Sequence, residues 1–149
     1  LWNGEKFLFK KSGTGQHEAR SINVLQFTGL LLGERLTEQQ RVSLLGGFMR
    51  SGLISTYGVR NESTRSELFN ADTYTRGPIW PPNNLEIIEG LYASGFETEA
   101  RSIADDLQEN LEKHGFAERF HPRTGVPLSD PSYTWTSSIY IYLRSVSRE

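Results

Sequence analysis

Three prolines in five positions, Pro78, Pro81 and Pro82, with Trp80 among them, constrain this chain more than any other stretch. Proline fixes φ and lacks an N–H, so it suits the first turn of a helix and little else inside one. The segment Arg76-Gly77-Pro78-Ile79-Trp80-Pro81-Pro82-Asn83-Asn84 therefore reads as a rigid lead-in to a helix that starts at the prolines. Two readings of it stand side by side. It is a capped helix start with a tryptophan buried in the core, or it holds Arg76 and Trp80 on a fixed path for chemistry, as loops on rigid scaffolds often do.

The chain on either side is helical in pattern. Phe7 and Phe9 alternate in a short extended segment, followed by a Ser12-Gly13-Thr14-Gly15 turn. Ile22, Leu25, Leu30 and Leu31 predict a helix from Ser21 to about Leu32, closed by Gly33. Thr37 is an N-cap for a second, Glu38 to Arg50, with Val42, Leu45 and Met49 at helical spacing. Residues 51–79 form a long irregular stretch, a length that tends to be functional in a compact domain. A third helix runs from about Pro82 to Ser94, with Leu85, Ile88, Leu91 and Tyr92 on one face and Gly95 after it. The fourth, about Glu97 to His114, has the clearest stripe: Ala100, Ile103, Ala104, Leu107 and Leu111, with acidic first turns and Gly115 at its end. A last helix, about Thr134 to Arg148, carries Trp135, Ile139, Tyr142 and Val146. Five helices, two antiparallel hairpins plus one, make an all-α chain expected to form a single helical domain over residues 1–149.

Composition removes several function classes. A net charge of −2 gives no electrostatic footprint for nucleic acid. The mean hydropathy of −0.49 goes with the lack of any apolar run long enough to span a bilayer, and no membrane partner is expected. With no cysteine there is neither a disulfide nor thiolate chemistry. The first residues, Leu1-Trp2-Asn3-Gly4-Glu5-Lys6, show no signal-peptide pattern and no initiator Met, which suits a processed product or a portion of a longer chain. His17, His114 and His121 lack metal-ligand spacing, so no metal and no cofactor are expected; His114 suits the cation-favouring end of its helix. Glu118 is the carboxylate of most interest. In an extended 116–120 segment, period-two alternation sets it on one side with Phe116 and Phe120, where lost solvation would raise its pKa and favour a general acid or base. In a surface loop it would simply pair with a neighbouring arginine.

Three stretches together carry a family resemblance. Tyr74-Thr75-Arg76-Gly77-Pro78-Ile79-Trp80-Pro81-Pro82-Asn83-Asn84, with Ile87-Ile88-Glu89-Gly90-Leu91 after it, resembles the YWRGPxW segment of six-hairpin glycosidases. Glu118-Arg119-Phe120-His121-Pro122-Arg123-Thr124-Gly125 is similar to their E-x-Y-x-P-x-T-G segment. Thr134-Trp135-Thr136-Ser137-Ser138 resembles the S-W-T-A-A that opens their last helix. Order and spacing agree, and the resemblance extends from Trp2 to the last helix. It points to the glycoside hydrolase family 63 group, mannosylglycerate hydrolase-like enzymes included, with trehalases more distant.

The resemblance implies part of an (α/α)6 toroid whose loops at one end build a sugar pocket, the chain being a C-terminal portion of the catalytic domain. It implies hydrolysis of an α-linked glycoside with inversion by two carboxylates, Glu118 corresponding to the general base. Tyr74, Arg76, Gly77, Trp80, Asn84 and Trp135 would form the substrate-binding set. Two positions depart from the family pattern: Thr75 stands where Trp is usual, and Phe120 replaces Tyr. The family's general acid is an aspartate upstream of the segment matching Leu1-Trp2-Asn3, so the 149 residues alone are expected to hydrolyse nothing appreciable. Helices that pack on the remainder of a toroid would leave apolar faces open, and a homodimer or association with an N-terminal portion is expected. A non-catalytic carbohydrate-binding domain and a plain helical scaffold, with Trp80 and Trp135 in its core, are the competing readings.

Overall fold

The computed structural model describes residues 2–8 and 20–146. Phe9, the Ser12–Gly15 turn, His17 and residues 147–149 lie outside the described residues. Among the described residues there are four α-helices: α1 (Glu38–Arg50), α2 (Pro81–Ala93), α3 (Glu97–His114) and α4 (Thr134–Val146). Two 3-10 helices, Val24–Gln26 and Thr28–Arg35, precede them, and a two-stranded antiparallel hairpin, β1 (Ile54–Ser55) and β2 (Gly58–Val59), follows α1.

Local chemistry sets most helix bounds. Thr37 caps α1 through a reciprocal pair with Gln40: its Oγ1 accepts from the Gln40 N–H at 3.2 Å, and its own N–H donates to Gln40 Oε1 at 2.9 Å. Pro81 occupies the first turn of α2, where its missing N–H costs nothing. Gly95 (φ +82°) and Gly115 (φ +86°) end α2 and α3 in the left-handed region that glycine adopts freely.

The stretch expected as one helix over 21–32 is instead two short 3-10 turns. Asn23 and Gln26 cap each other, and Gly33 takes a non-helical φ of 52° that brings its backbone against Ala93 of α2. Gly90 of α2 lies so close to Leu30 that a Cβ there would stand 2.9 Å from Leu30 Cβ. Glycine thus sets the distance between these two elements.

Two amphipathic faces are rotated from the sequence expectation. In α1 the chain buries Leu44, Gly47 and Phe48, the Phe48 ring meeting Phe27 edge-on at 5.5 Å, while Val42 and Met49 are exposed. In α4 it buries Thr136, Ile139 and Leu143, leaving Trp135 and Tyr142 outward, with the Tyr142 hydroxyl bonded to Glu89. Both helices carry more than one apolar stripe at helical spacing, so periodicity alone does not choose between faces. In α2, Ile87, Ile88 and Leu91 turn inward, and Leu85 and Tyr92 flank them. All five residues of the α3 stripe are buried. One core joins these helices to Leu53, Val59, Ile79 and Phe120.

The irregular stretches pair with one another. Asn61 N–H donates to Pro78 O at 3.0 Å, Ile79 and Phe120 exchange both backbone hydrogen bonds at 2.9 Å, and Phe120 bridges Pro127. Four extended segments, near 60, 79, 120 and 127, so form a small ladder. Helical periodicity gives no signal for it.

Candidate active site

The Ile79–Phe120 pairing sets the proline-rich segment beside the segment that carries Glu118. Phe120 is fully buried and Phe116 packs its ring on Tyr140 at 5.2 Å, so the two phenylalanines do not enclose Glu118. The expected apolar flank is absent because 116–120 bends at Glu118 instead of holding a regular strand. What meets the carboxylate is Tyr74: its hydroxyl donates to Glu118 Oε1 at 2.8 Å, across 44 residues of sequence. The Glu118 main chain is held by its N–H on Asp130 O at 2.9 Å, and Leu128 N–H donates to Arg119 O at 3.1 Å.

Two side chains hold Tyr74. Trp80 donates its Nε1–H to Tyr74 O at 2.9 Å and sets its ring 4.8 Å from the tyrosine ring, nearly perpendicular. The Arg119 guanidinium lies 5.2 Å over the same ring and donates Nη1–H to Thr73 O at 3.0 Å. The hydrogen bond to Glu118 is the main cause that raises the Tyr74 phenol above its ordinary pKa, so it is a proton donor throughout the neutral range.

Arg76 stands on a different support. Its Nη1 donates to Glu62 Oε2 at 3.1 Å and to Ser21 Oγ at 3.2 Å. Glu62 is wholly buried and also accepts from the Ile22 N–H at 2.8 Å and the Ser21 hydroxyl at 3.0 Å. Burial pushes its pKa up, but hydrogen bonds from Ser66, Ile22, Ser21 and Arg76 outweigh that and hold it below the ordinary value. The guanidinium itself is 40% exposed and keeps donors free on its open side. Glu62 is the residue that sequence reading passed over. It lies inside a polar run, and a run of that kind looks like a solvated loop.

The other expected residues divide. Asn84 is fully buried; its Oδ1 accepts from the Val59 N–H at 2.6 Å and its Nδ2 donates to Val59 O and Trp80 O, both at 2.9 Å. Its amide is spent on the backbone, clamping β2 to the start of α2. Gly77 is buried against the Asn70 carbonyl, where a Cβ would stand 2.6 Å from that oxygen. It permits the close turn that presents Arg76. Trp135 is 56% exposed in the first turn of α4, which is pinned near Glu118 by Thr136 Oγ1 donating to Ala117 O at 2.8 Å. Among the described residues no group of three or more His, Cys, Asp and Glu could hold a metal ion, and no helix is long and apolar enough to cross a membrane.

Known structures fix the fold. The crystal structure of the family 63 mannosylglycerate hydrolase from Thermus thermophilus in complex with glucose matches 89% of this chain with a TM-score of 0.76 at 24% identity. Neutral trehalase Nth1 from Saccharomyces cerevisiae matches 97% with a TM-score of 0.77 at 16% identity. The fold is therefore a part of an (α/α)6 toroid of the kind that glycoside hydrolases use. The Mannosylglycerate hydrolase MGH1-like glycoside hydrolase domain matches residues 1–136, and the chain belongs to that family. Among curated relatives, mannosylglycerate hydrolase MGH1 of Selaginella moellendorffii is 28% identical over 76% of this chain. Mannosylglycerate hydrolase of T. thermophilus is 29% identical over 70%. The chain spans 22% and 25% of the length of these two, and about a third of the solved T. thermophilus enzyme.

Proposed function

We propose that this chain is the C-terminal part of the catalytic domain of an inverting α-glycosidase and supplies its general base, Glu118. The observation that carries this reading is the meeting of the Tyr74–Trp80 segment with Glu118, joined by the Tyr74 hydrogen bond at 2.8 Å. An acidic side chain with one oxygen engaged by a phenol and the other open has the form a base needs to draw a proton from water. That water attacks the anomeric carbon while a carboxylic acid on the opposite face protonates the departing oxygen; about 6.5–9.5 Å between the two carboxyl groups admits it. The family resemblance assigns the acid to an aspartate upstream of the segment matching Leu1-Trp2-Asn3.

Arg76 and Trp135 serve as sugar contacts, the guanidinium through donors on its exposed side and the indole by stacking on a C–H face. Trp80 acts mainly through Tyr74, since its N–H is already committed. Gly77 and Asn84 serve as framework. The substrate is an α-linked glycoside; the curated relatives are named for mannosylglycerate, and a solved neighbour is in complex with glucose.

The experiment is turnover of mannosylglycerate, followed by NMR of the first anomer released, with the protein made from its whole reading frame. Inverted product from the wild type and its loss in Glu118→Gln, with binding retained, are expected. Binding of the sugar without turnover in the wild type would refute catalysis and favour a carbohydrate-binding domain.

A further inference from the structure

The bond from Tyr74 to Glu118 is braced far more than an exposed loop tyrosine requires. Tyr74 is 55% exposed, yet the carbonyls on both sides of its Cα are held by side chains and two side chains meet its ring. Arg119 holds the Thr73 carbonyl and Trp80 the Tyr74 carbonyl, so the peptide planes on either side of the Tyr74 Cα are fixed by side-chain donors. Thr73 Oγ1 donates to Asn70 O at 3.0 Å and accepts from the Arg76 N–H at 3.1 Å, closing the loop on itself. The ring also meets the Trp80 indole nearly at right angles and carries the Arg119 guanidinium over it. Two of these braces come from the residues that bracket the site: Trp80 from the proline-rich segment and Arg119 from the position next to Glu118. The arrangement aims one hydroxyl at one carboxylate oxygen.

We propose that Tyr74 is the positioning residue of the Glu118 base, its Oη–H engaging Oε1 so that Oε2 alone faces the attacking water. This rests on the reading of Glu118 as base. A glutamate carboxylate turns about three side-chain torsions, and a proton acceptor set wrongly by about 1 Å costs on the order of 100-fold in rate. Tyr74 removes that freedom. Phe120, on the same segment as Glu118, is buried in the core and supplies no donor. The phenol stays protonated because its bond to Glu118 raises its pKa from 10.0, so the restraint persists across the pH range in which a carboxylate base works.

The test compares Tyr74→Phe and Glu118→Gln in the protein made from its whole reading frame, with mannosylglycerate as substrate. For Tyr74→Phe, kcat is expected to fall about 10- to 100-fold while KM stays within about two-fold, since the ring and its stacking remain. An unchanged kcat, or a raised KM with kcat kept, overturns the inference; the second result would make Tyr74 a wall of the sugar site. If Glu118→Gln retains the wild-type kcat, the base reading itself fails. If Glu118→Gln is dead and Tyr74→Phe is normal, only the positioning role fails. An ultraviolet titration of tyrosinate, with Tyr74→Phe as the subtraction blank, checks the contact without turnover. Glu118→Gln is expected to bring the Tyr74 ionisation down toward its ordinary 10.0, and no movement overturns the inference.

Discussion

Replacing Glu62 by Gln isolates the support under Arg76. The wild-type carboxylate is wholly buried and accepts from Ser21, Ile22 and Arg76, with a longer contact from Asn23 Nδ2 at 3.4 Å. Gln keeps one acceptor oxygen, which can retain the Ile22 N–H. Its amide nitrogen, however, turns donors toward Arg76 and Ser21, so the ion pair is lost and a donor faces a donor. A hydrogen bond to a charged group contributes about 1.5–3 kcal/mol, and breaking a buried ion pair from one side costs about 3–5 kcal/mol. The Arg76 side chain is 40% exposed and recovers water, which places the cost at the low end, about 2–3 kcal/mol at pH 7.

The pH dependence has a definite sign. Glu62 is depressed below its ordinary 4.5, so its contribution is complete above that value and is lost as pH falls through its folded pKa. The gap between wild type and Glu62→Gln, measured by urea unfolding followed by circular dichroism, should therefore shrink from pH 7 toward about pH 3. A difference under about 0.5 kcal/mol at pH 7, the usual scale of surface changes, refutes the reasoning. So does a difference that is equal at both ends of the pH series.

Other perturbations follow from the same geometry. Glu118→Gln should lower kcat by about 10²–10⁴ with little change in sugar affinity by calorimetry, and wild-type turnover would remove it as the base. Gly125 has φ +72° and lies against Tyr57 and Asn110, a Cβ there standing 2.6 Å from Tyr57 Cδ1; Gly125→Ala should destabilise by about 1–3 kcal/mol in urea unfolding. Asn84→Ala strands the Val59 N–H in the core and should cost about 2–3 kcal/mol in the same assay, with loss of hydrogen-exchange protection at Val59 as the local signature. The 149-residue chain by itself exposes Val42, Met49, Trp135 and Ile141, and should self-associate; a monodisperse monomer by light scattering would refute that.

Features settled within a turn or two of the chain were legible in the amino acids alone. Thr37 starts α1, Gly95 and Gly115 end α2 and α3, and the α3 stripe turns inward, because caps, prolines and a single apolar face act locally. The family was legible from the Arg76–Trp80, Glu118 and Thr134–Ser138 segments for the same reason: each is a continuous run of residues. Which stripe of α1 and α4 is buried depended on long-range packing. Phe48 wins over Met49 because Phe27 is there to meet it, and a helix with several apolar faces carries no local signal for that choice. Folding likewise paired Ile79 with Phe120, set the Tyr74 hydroxyl on Glu118, turned Asn84 into a clamp and buried Glu62 under Arg76. These contacts join residues between 14 and 44 positions apart, and their free energy comes from desolvation and hydrogen bonding across the fold, which no local pattern encodes.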